Sequence, residues 1–253
     1  MYRFYCPGVN FSSTSVCLSN PDEVHHLRIV LRLKEGDKIY LFDGKGNEAE
    51  GIISSVGMRK VIVNIISVKQ YIRNSPDIIL ACAVPKRGKF EVIVEKATEL
   101  GVTEIIPLET ERTEIIFNKD KLLHKLERFK TIAINASKQS GRSIIPIIHT
   151  PMEFSVALDL LTKSGVAIIP SLIGERKNLL YILKNLQIPS KISFFIGPEG
   201  DFTEAEYEMA KEKGCVPVSL GNTILRVETA AITVVACAHL FFSVDSTKGP
   251  LLL

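Results

Sequence analysis

The sequence predicts an α/β protein: a mostly parallel sheet covered by helices, preceded by a small β-rich domain. Three observations carry that expectation. The run "IILACAV" (78–84) shows no polar alternation, as in strands buried on both faces of a parallel sheet. From there on, short apolar runs alternate with stretches of helical periodicity. Before Asp77 the pattern differs, with short strands separated by turn residues. At 253 residues, 46% of them hydrophobic and 23% charged, the chain is long enough for one large domain or two smaller ones with a substantial core.

Each element follows from local chemistry. Asn20-Pro21 sets an N-cap before a proline at the first helical position, so "NPDEVHHLRIVLRLKEGD" starts as a short helix and closes near Gly36. "DKIYLFDGKGNEAEGIISSV" places apolar runs on either side of Asp43–Asn47, a hairpin signal, and "KVIVNIISV" is a further strand. Residues 1–73 therefore read as a small β-barrel domain, with "IRNSPD" (72–77) as linker. Beyond it, "KFEVIVEKATEL" puts Phe90, Val94, Ala97 and Leu100 on one helical face and stops at Gly101. "EIIPL" is a strand. "KDKLLHKLERFKTIAINASKQSG" spaces Leu122, Leu126, Phe129, Ala133 and Ala136 as one helical stripe that stops at Gly141. Strands are expected at 166–170, 192–197 and 216–220, with helices at 177–186, 203–213 and about 228–243. Thr203 with Glu206 is a capping box, and Phe202 with Tyr207 has the spacing of a hydrophobic staple. Residues 74–245 form the second domain and 246–253 a flexible tail.

Composition removes several function classes. Cys6, Cys17, Cys82, Cys215 and Cys237 are scattered without C-x-x-C spacing, which argues for reduced thiols in a cytoplasmic setting. The histidines show no ligand spacing either, so no metal is expected. The N-terminus lacks a signal-peptide pattern, and "AAITVVACAHLFFSV" (230–244) is too short for a membrane span and reads as a buried helix. Residues 1–142 carry 22 Lys and Arg against 17 Asp and Glu, and the remainder 9 against 11, a mild bias toward a polyanion-facing first half. Ordinary surface solvation explains the same bias. The Gly-Lys pairs at 44–45 and 88–89 lack the P-loop glycine five residues earlier, and no G-x-G-x-x-G follows a strand.

In open parallel sheets, ligands collect beyond the carboxyl ends of strands. Three loops there are distinctive: "PSLIGE", "GPEGD" and "GNTILRVETAA". "IGPEGDFTEAE" followed by "SLGNTILRVETAA" resembles the C-terminal signature of RsmE-type ribosomal RNA uridine-N3 methyltransferases of the SPOUT superfamily. "HHLRIVLRLKEGDKIYLFDGKG" resembles the family's N-terminal PUA-like RNA-binding domain, and "AVPKRGKFEVIVEKATELGVTEIIPLETERT" and "RFKTIAINASKQSGRSIIP" its middle segments. Together these cover most of residues 25–240 in the family's order. The resemblance implies a C-terminal trefoil knot binding S-adenosylmethionine, a homodimer with its active site near the subunit interface, and ribosomal RNA or the small ribosomal subunit as partner. It also implies cofactor contacts from Leu172, Gly197, Pro198, Glu199, Gly200, Leu220, Gly221, Ile224, Leu225, Thr229 and Ala230. Gly197 and Gly200 would let backbone approach the cofactor. The chain departs from the family pattern at Asp201, where a second glycine is usual, at Val227, where threonine is expected, and at Asn135 and Lys138.

Methylating uridine N3 requires an unpaired base, alignment of nitrogen, methyl and sulfur, and handling of the N3 charge. Arg226 is the expected stabiliser of a uracilate oxygen or neighbouring phosphate, with Glu199 and Glu228 as base or positioning groups. An ion pair with either glutamate would explain Arg226 without catalysis, and helix capping would explain Glu228. Arg28, Arg32, Lys86, Arg87, Arg112, Gln139 and Arg142 are expected RNA contacts. Surface solvation competes for the Lys86–Lys89 group, and a helix cap for Arg142. Other readings are a non-catalytic RNA-binding assembly factor, a methyltransferase acting on another RNA, and a nucleotide-dependent oxidoreductase.

Overall fold

The computed structural model describes residues 2–72, 75–86, 88–114 and 119–243. They divide into two compact units, one within Met1–Arg73 and Ile134–Ile145, the other within Asn74–Ala133 and Pro146–Leu253. The expected tail at 246–253 lies outside the described residues, as do Arg73 and Asn74 of the linker.

In the first unit, β1 (Arg3–Tyr5) pairs in parallel with β3 (Lys38–Phe42). β3, β4 (Asn47–Val56), β5 (Val61–Gln70) and β2 (Ser15–Leu18) continue the five-stranded sheet antiparallel, in the order β1-β3-β4-β5-β2. Phe4 and Leu18, from the two edge strands, share one core with Ile39, Leu41, Ile53, Val63 and Leu27, so the sheet curls around a common apolar centre. The hairpin turn is set by Asp43, whose carboxylate accepts from the backbone N–H groups of Lys45 and Asn47 and from the Asn47 amide. Asn20 caps α1 (Pro21–His25), accepting from the N–H groups of Asp22 and Glu23. The helix then widens into a π-helical turn (His26–Val30) and ends before Arg32, which sits at φ 54°. It therefore stops earlier than the expected closure near Gly36. A buried ion pair joins Glu23 to Lys138, both carboxylate oxygens lying within 2.9 Å of the ammonium.

The second unit holds an eight-stranded sheet. Its strands are β6 (Asp77–Ala83), β7 (Glu104–Glu109), β8 (Ile147–Ile148), β9 (Met152–Glu153), β10 (Val166–Pro170), β11 (Lys177–Asn178), β12 (Lys191–Ile196) and β13 (Val216–Ser219). The order is β11-β13-β10-β12-β6-β7-β8, with β9 also on β7, and each of these pairings is parallel. The helices are α2 (Lys89–Glu99), α3 (Lys119–Ser140, which ends in the first unit), α4 (Phe154–Ser164), α5 (Leu179–Asn185), α6 (Glu204–Glu212) and α7 (Val227–Phe242).

β6 is buried at six of its seven positions, which explains its unbroken apolar run. Ile79 and Ala81 face a core built with Phe154, Leu158 and Leu161 of α4 and Ala210 of α6. Ile78, Leu80 and Cys82 alternate to the opposite face. Away from that core, Phe90 of α2 packs on Phe129 of α3 with ring centroids 5.0 Å apart. α7 buries Ala230, Ala231, Val234, Val235 and Ala238, a single face of the run 230–244, and packs on α2 and β6.

Candidate functional site

Three neighbouring strands, β13, β10 and β12, end on the same side of the sheet, where their following loops enclose a cavity of about 400 Å³. That volume lies within the roughly 300–1,000 Å³ of small-molecule sites. Pro170, Ser171 and Leu172 line it after β10; Ile196 to Glu199 and Asp201 after β12; Ser219, Leu220 and Gly221 after β13. The segment Thr223–Arg226 and the start of α7 (Val227, Glu228, Ala230) complete the wall with Lys89 and Arg176.

The loop after β12 is held on every side. Phe202, 3% exposed, packs against Phe154 at 4.9 Å and edge-on against Tyr207 at 5.6 Å, so the expected staple is present and continuous with the core. The capping box is also formed, with Thr203 Oγ1 accepting from the Glu206 N–H and Glu206 Oε2 accepting from the Thr203 N–H. The other Glu206 oxygen accepts from the N–H of Glu111, and the Arg112 guanidinium donates to the carbonyl of Gly200 at 2.7 Å. Gly197 is favoured by packing: a Cβ there would lie 3.1 Å from the Phe202 ring, a contact tight enough that the ring would have to give slightly. Gly221 is required by conformation, at φ 126° with open space around it.

Asp201 occupies the left-handed region at φ 61°. Its Oδ1 accepts from its neighbour's N–H (Phe202, 2.9 Å) and from the Tyr207 hydroxyl (2.8 Å). Burial and then Asp201 push the Tyr207 phenol well above its ordinary pKa, so it remains a donor. The departure from glycine is therefore accommodated, with the side chain tying the turn together.

Of the expected cofactor-contacting residues, Leu172, Gly197, Pro198, Glu199, Leu220, Gly221, Ile224, Leu225 and Ala230 line the cavity; Gly200 and Thr229 stand outside its lining. All three residues singled out for catalysis, Arg226, Glu199 and Glu228, line it. Glu228 pairs with Lys89 at 2.8 Å in the first turn of α7. Burial raises its pKa, but the Lys89 hydrogen bond, its own N–H and the charges of Lys89 and Arg226 outweigh that and leave it lowered. Glu199 is exposed, and its Oε1 accepts from the Lys86 N–H. Among the described residues the Arg226 side chain makes neither a hydrogen bond nor an ion pair, so the structure gives it neither glutamate as a partner. Cys82 lies behind Glu199; burial, then that carboxylate, raise its pKa far above the ordinary thiol value, which removes it as a nucleophile. All five cysteines are free thiols.

The residues assigned to RNA divide between the two units. Arg28, which donates to the Met58 carbonyl, the exposed Arg32 and Gln139, and Arg142 belong to the first unit. Lys86, ion-paired with Glu114, and Arg112 belong to the second, and Arg87 lies outside the described residues. Arg112 spends its guanidinium on bracing the Gly200 loop, a duty its sequence context did not signal. Lys89, Ser171, Arg176 and Ser219 line the cavity without having been singled out for it. Lys89 stood within the basic group read as a phosphate grip or solvated surface. Among the described residues no group of metal-ligating side chains is present, and no helix is long and apolar enough to cross a membrane.

The chain matches the RNA methyltransferase domain over residues 73–239 and the RNA methyltransferase PUA domain over residues 18–66. Ribosomal RNA small subunit methyltransferase E of Bacillus subtilis is 33% identical across 83% of this chain and 84% of its own. The protein of that name from Rickettsia conorii is 32% identical across 95% and 96%. The same enzyme from Neisseria gonorrhoeae, solved bound to S-adenosyl methionine, superposes with a TM-score of 0.84 at 30% identity, covering 96% of this chain and 98% of that one. A Legionella pneumophila protein solved with the cofactor bound superposes at 0.81 with 32% identity, covering 94% and 96%. These matches cover both units of the fold, and the chain belongs to the ribosomal RNA small subunit methyltransferase E family.

Proposed function

We propose that the chain methylates N3 of a uridine in small-subunit (16S) ribosomal RNA, with S-adenosylmethionine as methyl donor. The observation that carries this reading is the cavity at three adjacent strand ends with the unpaired Arg226 at its edge. Its backbone turns at Gly197 and Gly221, apolar walls from Leu172, Leu220 and Ala230, and charges of both signs suit a ligand that joins a nucleoside to an amino acid. When bound, S-adenosylmethionine supplies an electrophilic methyl group on a sulfonium.

The chain's own residues do the rest. Arg226 places a cation at the cavity edge, where it would meet negative charge developing on the uracil oxygens. Glu199 keeps its second carboxylate oxygen unbonded among the described residues, which suits accepting or orienting the N3 proton. Glu228, held ionised by Lys89, orients the start of α7 and thereby Arg226. Arg28, Arg32, Lys86, Arg87, Gln139 and Arg142 supply phosphate and sugar contacts that position the RNA without reading its sequence.

The active form is a homodimer working in the cytoplasm. Support comes from apolar side chains left about half exposed or more on α5 and α7, namely Leu180, Tyr181 and Leu240. The family resemblance implies a trefoil knot in the C-terminal path, and the placement of β13 between β10 and β11 with α7 packing on β12 and β6 is compatible with it. The deciding experiment is mass spectrometry of 16S ribosomal RNA from a strain lacking this gene. One N3-methyluridine is expected to disappear and to return on complementation. An unchanged methylation pattern overturns the proposal.

A further inference from the structure

The Asp201 carboxylate is divided between two tasks. Oδ1 is saturated by its own loop, accepting from the Phe202 N–H and the Tyr207 hydroxyl. The backbone adds a turn bond from the Asp201 N–H to the Pro198 carbonyl. Oδ2 accepts nothing from any described residue, and Asp201 is part of the cavity wall. A partly buried carboxylate fixed in one rotamer, at a left-handed backbone position, with one oxygen unused beside a cavity, is a preorganised acceptor. Of the other carboxylates of the wall, Glu228 is paired with Lys89, and Glu199, which also has one oxygen unbonded, is exposed where Asp201 is partly buried. On the cation side, Arg176 and Arg226 have no carboxylate partner among the described residues. The wall thus offers one rigid anionic acceptor and two available cations, matched to a ligand that is itself zwitterionic.

We infer that Asp201 binds the methyl donor in this chain, Oδ2 accepting a hydrogen bond from the donor's amino-acid ammonium or from one of its ribose hydroxyls. The inference rests on the donor occupying this cavity. Both groups are N–H or O–H donors that an ionised carboxylate accepts strongly, and a glycine at position 201 would offer neither of them a partner.

Calorimetry on the full chain tests it, with S-adenosylmethionine, S-adenosylhomocysteine and 5′-methylthioadenosine, which lacks the amino-acid portion. Asp201→Asn keeps the shape and an acceptor for the loop bonds while turning Oδ2 into a donor. It is expected to weaken S-adenosylmethionine and S-adenosylhomocysteine about tenfold or more. A loss confined to those two ligands assigns the ammonium; an equal loss with 5′-methylthioadenosine assigns the ribose. Asp201→Gly, which takes the left-handed backbone without strain but gives up the two Oδ1 bonds, is expected to lose affinity to a similar extent with a modestly lowered melting temperature, whereas Asp201→Asn keeps that temperature. Wild-type affinity of both variants for all three ligands overturns the inference, as does a loss restricted to S-adenosylmethionine, which would report only the sulfonium charge. A co-crystal separates the two levels. Donor density outside the cavity refutes its assignment as the donor site, whereas density inside it with unchanged variant affinities refutes only the role of Asp201.

Discussion

Two walls of the same cavity are built in opposite ways. The loop after β12 is tied to the core by Phe202, to α6 by the capping box and Tyr207, and to the 110–113 turn by Arg112 and Glu206. The segment after β13 has few bonds of its own: Ser219 Oγ accepts from the Gly221 N–H and donates to the Gly221 carbonyl, and the Arg226 carbonyl accepts from Ala230. Ile224 is 80% exposed, and Arg226 is exposed as well. The difference teaches a division of labour. The proposed donor pocket would be served by a wall that is rigid before binding, whereas the residue proposed to meet the transferred methyl's target stays free to engage RNA.

The sharpest way to break this comparison is on the loosely tied wall. Arg226→Ala is expected to lower kcat by about 10²–10³, with donor affinity by calorimetry and melting temperature near wild type. A matching loss of donor affinity would mean that the two walls do not divide the work. On the rigid wall the effect is smaller and of another kind. Arg112→Ala removes the bond to the exposed Gly200 carbonyl and is expected to raise the donor Kd about threefold to tenfold, with kcat at saturating donor preserved. Loss of RNA affinity alone would return Arg112 to the phosphate-contact group.

The smallest effect concerns pH. Glu228 has a folded-state pKa below its ordinary 4.5, so its pairing with Lys89 stabilises the fold above that value and is lost as pH falls through the folded one. The melting-temperature gap between wild type and Glu228→Gln is expected to be constant from pH 6 to 8 and to close as pH falls below 4.5 and through the lowered folded-state pKa. A gap that changes near neutrality would assign the titration to another group.

The features most legible in the sequence were those with a local chemical cause. The capping box, the Asp43 turn and the three loops at strand ends all follow from short-range rules, and the structure brings those loops together. The helix α4 was missed because it begins at Phe154 after Glu153, whose side chain makes no cap, and β8 and β9 are two residues each. The residues following His25 carry no pattern that distinguishes a π-helical turn from ordinary helix. Long-range commitments were illegible for another reason. That Lys89 would pair with Glu228 and leave Arg226 alone depends on α2 and α7 meeting, which no spacing within either helix encodes. Gly197 was singled out for backbone approach to the cofactor, and its constraint in the fold is the Phe202 ring lying against it.

That ring has a practical corollary. Because Phe202 both plugs the interior and lies against Gly197, enlarging residue 197 presses on an aromatic group of the core as well as on the cavity. Assays that score turnover alone would then record a poisoned catalyst where part of the lesion is a loosened scaffold.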